Sequence, residues 1–346
     1  MYVQELLTKI HCYWIREADL DGFRVDAVKH MGEKSISMFC SHIREYAYKL
    51  GKRNFFLFGE LVGPEESYNR YIGPKTAIQL EDTALYYGLN SVLDFPLYYV
   101  LSDVILQRAT PERLIERCES LRRNALSRGE FGEFLVTFLD NHDQVGQKIK
   151  TRFGHHATVE QIIGGVGFLL CALGTPCIYY GTEQGFQGSG EGDWNIREAM
   201  FNLSDNTTNA LDSSNPIYVE ISRLASLRAR SPVLKFGRTY MRESSHDGRS
   251  FHMPLTSDCM LAFSRILYDV EMLAVFNSST TNNDEEYIDV DRNLNPEGSV
   301  FRYCYGAHGK VHVLKNDEGT RHFLKLNLKP GQFVVLTNQP DFTHGK

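Results

Sequence analysis

Carboxylate side chains recur in this sequence where apolar runs end, and proteins use carboxylates as acids, bases, nucleophiles and metal ligands. Asp26 follows the apolar run of "DGFRVDAVKH", Glu60 follows that of "NFFLFGEL", and Asp143 follows that of "FLVTFLDNHD". Arg24 lies two residues before Asp26, so on a strand both side chains point to the same face. A charged pair on a mostly apolar strand indicates either a functional site or a costly buried ion pair.

The elements that would position these residues alternate between strand and helix. Helical spacing of apolar residues predicts helices over 1–19, 33–51, 97–107, 111–127, 158–173 and 215–229. Strands are predicted at 22–27, 54–60, 91–95, 134–140 and 177–181. These strands are apolar along their whole length, which is typical of parallel sheets that are covered on both faces.

Polar residues gather at the carboxyl ends of the predicted strands. They are Asp26, Glu60, Asp94, Asp143 and Glu183. In a parallel β/α barrel that end carries the active site, so several such residues on successive strands predict a site there.

The pattern changes after about residue 235. Short strand-like segments such as "MLAFSRIL" and "HFLKLNL" are separated by turn residues, without a clear helical stretch. This part predicts an antiparallel β-sandwich. We therefore divide the chain into an α/β domain over 1–234 and an all-β domain over 235–346.

Composition excludes some classes of protein. The formal charge of −6 gives no broad basic surface, which argues against a nucleic-acid partner. Seven cysteines without C-x-x-C pairs indicate neither a zinc site nor a disulfide framework, and favour a reduced, cytoplasmic protein. The apolar runs are broken by Gly and Pro and are too short to span a membrane.

Four segments in order, "GFRVDAVKH", "FGE", "FLDNHD" and "GTPCIYYGTEQG", resemble conserved regions of the α-amylase family, glycoside hydrolase family 13. The resemblance covers essentially the whole chain. It implies a TIM-type (β/α)8 barrel followed by a C-terminal β-domain.

The resemblance also implies a retaining attack on an α-glucosidic bond. Asp26 would be the nucleophile, and Glu60 the general acid and then the base, with the two carboxyl groups about 5 Å apart. Asp143 would hold sugar hydroxyls and favour the distorted, oxocarbenium-like ring. Asp26 must be ionised for this chemistry, and Arg24 beside it favours the charged form, which would explain the charged pair on the strand.

Other residues would bind substrate. Lys29 and His30 match family positions on the leaving-group side, and His142 matches a histidine that hydrogen-bonds the sugar in the cleavage subsite. Trp194 would either line the cleft or pack. Structural alternatives remain open for the rest: a buried ion pair for Arg24 and Asp26, a loop cap for Glu60, a polar network for Asp143 with His142, and a helix start for Lys29 with His30.

The five predicted strands match the fourth to eighth strands of a family 13 barrel. The first three strands have no counterpart, and neither does the family's first conserved region, whose Asn and His help to hold calcium. Five parallel strands cannot close a barrel. We therefore expect this chain to be the C-terminal part of a longer enzyme, to need the N-terminal barrel half, and to be poorly soluble and nearly inactive alone. The resemblance implies calcium for the complete enzyme, with most of its ligands in that missing part.

Function is predicted as α-amylase-type hydrolysis of α-1,4-glucans, with a transglycosylase or α-glucosidase of the same family as the nearest alternatives. A metal-dependent lyase barrel is an alternative from another class of chemistry, because three carboxylates on barrel strands can also bind magnesium. A non-catalytic glycan-binding protein is the third. Retention of all three carboxylates argues against the last.

Overall fold

The computed structural model describes residues 2–78, 83–124, 135–201, 210–282, 284–340 and 342. These residues form two compact units. The described residues up to Pro96, together with Leu135–Thr137, form the first unit, and the other described residues form the second. Among the described helices, none combines the length and the apolar character that a membrane span requires.

The described residues of the first unit form two complete α-helices and six strands. They are α1 (Tyr2–Glu17), β1 (Gly22–Val25), α2 (Glu33–Lys49), β2 (Phe56–Gly59), β3 (Pro74–Ile78), β4 (Thr83–Tyr87), β5 (Ser91–Leu93) and β6 (Leu135–Thr137). Strands β1, β2, β5 and β6 are hydrogen-bonded in that order and run parallel. The predicted strands at 22–27, 54–60, 91–95 and 134–140 are thus confirmed, each shorter than predicted, and residue 134 lies outside the described residues.

An antiparallel pair that the sequence analysis did not predict follows β2. Strands β3 and β4 pair from Pro74 opposite Tyr87 to Ile78 opposite Thr83. Polar residues interrupt this stretch, so no apolar alternation marked it as a hairpin.

Helix α1 presents its apolar stripe to solvent. The stripe residues are at least 43% exposed, and they are Val3, Leu6, Leu7, Ile10, Tyr13 and Trp14. Ile15 is the buried residue of this helix. The spacing predicted the helix correctly, but it carried no information on what the apolar stripe contacts.

The second unit begins with helices and short strands. They are α3 (Phe95–Ile105), α4 (Glu112–Asn124), β7 (Lys150–Thr151), α5 (Val159–Cys171), β8 (Thr175–Pro176), β9 (Ser189–Gly190), α6 (Pro216–Arg230) and α7 (Pro232–Phe236). A capping box fixes the start of α5, where Thr158 and Gln161 each bond the other's backbone N–H. Buried Leu101, Val166, Leu169 and Leu224 belong to the core that these helices share with one β-sheet.

Ten strands follow. They are β10 (Arg238–Met241), β11 (Ser244–Ser245), β12 (Met260–Leu267), β13 (Val270–Asn277), β14 (Asp284–Asp289), β15 (Val300–Tyr305), β16 (Lys310–His312), β17 (Leu314–Lys315), β18 (His322–Leu328) and β19 (Phe333–Thr337). They form a six-stranded sheet, β10-β12-β13-β19-β15-β16, and a four-stranded sheet, β11-β14-β18-β17. Buried Leu273 and Val334 of the first sheet share a core with Ile288 and Leu324 of the second. This arrangement of antiparallel sheets around one core agrees with the predicted sandwich.

The predicted strand at 177–181 is wrong in position and length. The strand there is β8, Thr175–Pro176, and the chain after it is irregular. The physical reason is Arg152, which is fully buried and stacks its guanidinium 4.5 Å from the centre of the Tyr179 ring. Arg152 Nη1 also donates to the Tyr180 carbonyl at 2.9 Å. Apolar composition contains no signal for these contacts with a distant arginine, so it misassigned this segment.

Buried Glu286 on β14 predicts a pH dependence of stability. Its Oε1 accepts from the Met260 N–H at 2.8 Å, and the residue is 1% exposed. Burial and, next, the Asp284 carboxyl raise the pKa of Glu286 to about 7. The folded state therefore holds a proton that the unfolded state releases from about pH 4.5 upward. The resulting stabilisation is present below that pH and is lost as the pH rises through 7.

We expect Glu286→Gln to flatten this dependence, because the amide oxygen still accepts from Met260 N–H and the amide carries no titrating proton. From pH 5 to pH 8, the unfolding free energy of the parent protein should fall by roughly 2–3 kcal/mol more than that of the variant. Urea unfolding of both proteins at the two pH values measures this difference. Glu285→Gln, the exposed neighbour paired with Lys325, is the control and should follow the parent protein. Parallel pH profiles for Glu286→Gln and the parent would contradict the prediction.

Candidate active site

The carboxyl ends of β1 and β2 place Asp26 and Glu60 at one edge of the parallel sheet. Val25 is paired with Gly59, and the Glu60 N–H donates to the Val25 carbonyl at 2.8 Å. Gly59 is required there, because a Cβ would lie 2.6 Å from Leu89 Cδ1 and 2.7 Å from Val28 Cγ2. The short "FGE" segment thus carries its carboxylate directly after a position that admits no side chain.

The backbone turns sharply between Asp26 and the short 3₁₀ helix Val28–His30. Ala27 has a left-handed conformation, with φ of 46° and ψ of 41°, which is uncommon for a residue with a Cβ. Its N–H donates to Glu60 Oε2 at 3.0 Å, and the Val28 N–H donates to the Glu60 carbonyl at 3.0 Å. Backbone strain of this kind concentrates at functional sites, where surrounding contacts maintain it. Here the Glu60 carboxylate is one of those contacts.

Arg24 lies between the two carboxylates. Its Nη1 is 2.7 Å from Asp26 Oδ1, and its Nη2 is 3.7 Å from Glu60 Oε2. The Asp26 side chain is 72% exposed and that of Glu60 is 14% exposed. The structure therefore brings Arg24, Asp26 and Glu60 together, and it shows an accessible ion pair rather than a fully buried one.

Lys29 and His30 are both exposed at the same edge. Lys29 Nζ donates to the Val62 carbonyl at 3.4 Å, so its ammonium lies beside the loop that follows Glu60. His30 is the last residue of the 3₁₀ helix, and its N–H donates to the Ala27 carbonyl at 3.0 Å. Their exposure leaves both side chains accessible to a ligand.

A second cluster forms in the second unit around the "DNHD" segment. Asn141 Oδ1 accepts from the N–H groups of Asp143 and Gln144, at 2.8 and 2.6 Å. This side-chain turn fixes the backbone that presents His142 and Asp143.

Both oxygens of Asp143 have a partner. Oδ1 is 2.6 Å from Arg197 Nη2, and Oδ2 is 3.1 Å from His142 Nε2. Arg197 Nε also donates to the His142 carbonyl at 2.8 Å, and Lys150 Nζ donates to the Asp143 carbonyl. The carboxylate is held in one orientation while a third of its side chain stays exposed, as a binding group requires.

Buried polar groups hydrogen-bond to residues next to this cluster. Asp140, 4% exposed, accepts from the Phe153 N–H and from Gln144 Nε2, both at 2.7 Å. Burial raises the pKa of Asp140 above its usual range, although Arg152 and these hydrogen bonds oppose the shift. Arg152 Nε pairs with Glu198 at 2.7 Å.

Sequence reasoning missed Arg197, Asp193 and Lys150. The signal for the first two was the D-x-x-x-R spacing in "GDWNIREAMF", since Arg197 Nη2 lies 3.4 Å from Asp193 Oδ2 as well as beside Asp143. The other two strand-end carboxylates are less accessible than Asp26. Asp94 is 1% exposed, and Glu183 lies half-buried in the 3₁₀ turn Thr182–Gln184.

The resemblance to the α-amylase family implies a calcium ion, which needs several ligand atoms close together. The group in the described residues whose ligand atoms lie close together is His246, Asp284 and Glu286, all within 4.8 Å of one another. Calcium takes oxygen ligands, whereas an imidazole suits transition metals. This group does not fit calcium, so no chemical step is assigned to that ion.

Comparisons with known proteins agree on one family. The family model described as "Alpha amylase, catalytic domain" matches residues 2–215. An α-amylase of Streptomyces lividans is 29% identical over 331 residues, which cover 88% of this chain and 32% of that protein. A cyclomaltodextrin glucanotransferase of Bacillus sp. (strain 38-2) is 29% identical over 234 residues, covering 68% of this chain and 28% of that protein. The chain thus spans about a third of the length of these relatives.

Solved structures show the same fold at lower identity. The crystal structure of CldA, a cyclomaltodextrin glucanotransferase, matches 97% of this chain and 60% of its own with a TM-score of 0.72 and 23% identity. The α-amylase of Anoxybacillus matches 97% of this chain and 62% of its own with a TM-score of 0.70 and 21% identity.

Proposed function

The chain belongs to the α-amylase family, whose catalytic-domain model matches more than half of it, and from this premise we propose that the protein cleaves α-1,4-glucosidic bonds with retention of configuration. The single observation that carries the proposal is the Arg24–Asp26–Glu60 cluster at the carboxyl ends of β1 and β2. A retaining glycosidase needs two carboxyl groups close together, and the nearness of Asp26 and Glu60 to one guanidinium supports assigning them these roles.

In the first step the Asp26 carboxylate attacks the anomeric carbon while Glu60 gives a proton to the glycosidic oxygen. The bond between that carbon and oxygen breaks, and an ester forms between the sugar and Asp26. In the second step Glu60 takes a proton from water, whose oxygen attacks the same carbon and releases Asp26. Two inversions restore the α configuration.

Other side chains bind and orient the glucan. Asp143 holds sugar hydroxyls and favours the oxocarbenium-like ring, and His142 donates to a sugar oxygen. Lys29 and His30 contact the leaving-group side. Arg24 holds Asp26 in position through the 2.7 Å contact.

We further propose that residues 1–234 correspond to the fourth to eighth strands of a (β/α)8 barrel, with 235–346 as a separate β-domain. The order of parallel strands β1-β2-β5-β6 supports this assignment. The proposals on activity concern the whole protein that carries these residues.

Transfer to a second sugar is the alternative that a specific finding favours, because cyclomaltodextrin glucanotransferases are among the relatives. Water and an acceptor sugar compete for the same ester. The ratio of hydrolysis to transfer therefore depends on which acceptor reaches that ester.

We expect the whole protein, incubated with maltoheptaose, to release shorter oligosaccharides whose new reducing ends are α-anomers. Proton NMR during the first minutes measures the anomer before mutarotation, and chromatography measures product length. Products longer than maltoheptaose would identify transfer. Absence of cleavage, or β-anomers as first products, would overturn the proposal of a retaining α-glucanase. Cellohexaose is the matched control. Its glucosyl units are also joined 1,4, but by β-bonds, so it should stay intact.

A further inference from the structure

Trp194 is a large apolar side chain that the fold leaves in solvent. It is 77% exposed, although a tryptophan usually buries most of its surface. It lies in the 3₁₀ turn Asp193–Ile196, between the charged residue Asp193 and the fully buried Ile196. An indole kept out of the core in a turn beside charged groups indicates a binding role.

The turn that carries Trp194 is firmly held. The Gly192 carbonyl accepts from both the backbone N–H and the Nδ2 of Asn195, each at 3.0 Å. The Ile196 carbonyl accepts from the Tyr179 hydroxyl at 3.0 Å. Because both ends of the turn are fixed, the indole is presented in a defined position at low entropic cost to binding.

One face of the indole rests on Gly192. A Cβ at that position would lie 2.2, 2.3 and 2.4 Å from three adjacent ring atoms, Cη2, Cζ3 and Cζ2. Nearly equal distances to neighbouring atoms mean that the Cα of Gly192 approaches the face of the ring, since an approach to its edge would favour one atom. With one face on the backbone and most of the side chain exposed, the other face is open to solvent.

Charged groups lie next to Trp194 along the chain. Asp193 precedes Trp194 in the chain, and its carboxylate lies 3.4 Å from Arg197 and 3.8 Å from Lys150. Arg197 in turn contacts Asp143 at 2.6 Å. A single exposed aromatic side chain, in a turn that also carries charged hydrogen-bonding groups, matches a sugar ring, which has an apolar C–H face and a rim of hydroxyls. A protein partner would need a wider apolar patch.

We propose that Trp194 is a stacking platform for a glucosyl ring of the substrate chain, beside the Asp143 cluster, so that it selects long α-glucans over short ones. This proposal rests on the proposed function. Stacking on Trp194 acts on a ring that does not react, so it strengthens ground-state and transition-state binding equally. Loss of the Trp194 ring therefore raises KM and leaves kcat almost unchanged.

The first test is kinetic. We expect Trp194→Ala to raise KM for maltoheptaose about tenfold and to change kcat less than about twofold. KM for a maltotriose-based chromogenic substrate should stay within about twofold. Tyr268→Asn is the control: Tyr268 is 89% exposed and has a left-handed backbone that asparagine tolerates, so its replacement should change neither constant. If Trp194→Ala lowered kcat by the same factor on maltoheptaose and on the maltotriose-based substrate, the proposal of a stacking platform would be overturned.

The second test measures binding without turnover. Maltoheptaose is titrated into the Glu60→Gln protein while tryptophan emission is recorded. We expect the emission change to persist in Trp14→Phe and to disappear in Trp194→Phe, Trp14 and Trp194 being the two tryptophans within residues 1–346. Any tryptophan outside these residues is replaced by phenylalanine in every protein compared. An emission change that persists in Trp194→Phe would overturn the platform. A protein that binds maltoheptaose through Trp194 but cleaves no α-glucan would contradict only the proposed activity. A protein that cleaves α-glucans, and whose Trp194→Ala variant has an unchanged KM for maltoheptaose, would contradict only the stacking platform.

Discussion

Glu60→Gln is expected to lower kcat on maltoheptaose by about 10³-fold or more, the loss typical of a general acid removed from a reaction with a poor leaving group. The glutamine keeps an oxygen that can accept from the Ala27 N–H, now 3.0 Å from Glu60 Oε2, so the left-handed turn before Val28 should persist. Only the transferable proton is lost. Steady-state kinetics on maltoheptaose, with the melting temperature as a check on folding, measures the effect.

A substrate whose leaving group needs no proton separates the acid role from a structural one. On α-maltosyl fluoride the variant should retain far more of its kcat/KM than on maltoheptaose, because fluoride departs unprotonated and Asp26 still attacks. Its kcat on the fluoride falls as well, because Glu60 is also the base of the second step. Glu66→Gln, six residues farther on and exposed, is the matched control and should behave as the parent protein. If Glu60→Gln kept full activity on maltoheptaose, or lost kcat/KM by the same factor on both substrates, Glu60 would not be the acid.

The strands could be predicted from sequence where burial alone determines them. β12 and β18 begin and end where the sequence segments "MLAFSRIL" and "HFLKLNL" do. The later residues of β18 alternate between buried and exposed, whereas β12 is buried on both faces, by the two-sheet core and by the core shared with the helices. The segment at 177–181 was misassigned because its partner is a charge, Arg152, which is distant in sequence. Apolar periodicity contains no record of such contacts.

The candidate site was predictable to the extent that its residues lie within short motifs. Arg24 and Asp26 are two residues apart in one motif, and they form a 2.7 Å ion pair although Asp26 lies in the turn that follows β1 rather than on the strand. Arg197 could not be found in this way, because it reaches Asp143 from a separate loop. The left-handed Ala27 was equally invisible, since alanine gives no signal for that conformation.

Asp143→Asn is the second replacement with a large expected effect, a fall in kcat of about 10²–10³-fold, the loss typical of one preorganised electrostatic group in an active site. Asparagine has the shape of aspartate and can still accept from Arg197, now 2.6 Å from Oδ1. What it lacks is the negative charge that an oxocarbenium-like ring requires. Kinetics on maltoheptaose should therefore show a reduced kcat with little change in KM.

Affinity for two ligands distinguishes this role from a structural one. The variant should bind maltoheptaose almost as the parent does, but its affinity for a positively charged iminosugar should fall in parallel with kcat/KM, because only the latter ligand resembles the transition state. A variant that lost affinity for both ligands alike would show that Asp143 only maintains the loop.

Asp103→Asn is the control for Asp143→Asn, because Asp103 also pairs with an arginine in the same unit. Asp103 lies 3.7 Å from Arg113, with side chains 40% and 53% exposed, against 33% and 44% for Asp143 and Arg197. Partly exposed pairs of this kind contribute about 1 kcal/mol or less to stability. Asp103→Asn and Asp143→Asn should thus unfold at similar temperatures while only the second loses catalysis. Such a separation would mean that the Asp143–Arg197 contact serves to orient a charge toward the sugar rather than to hold the fold together.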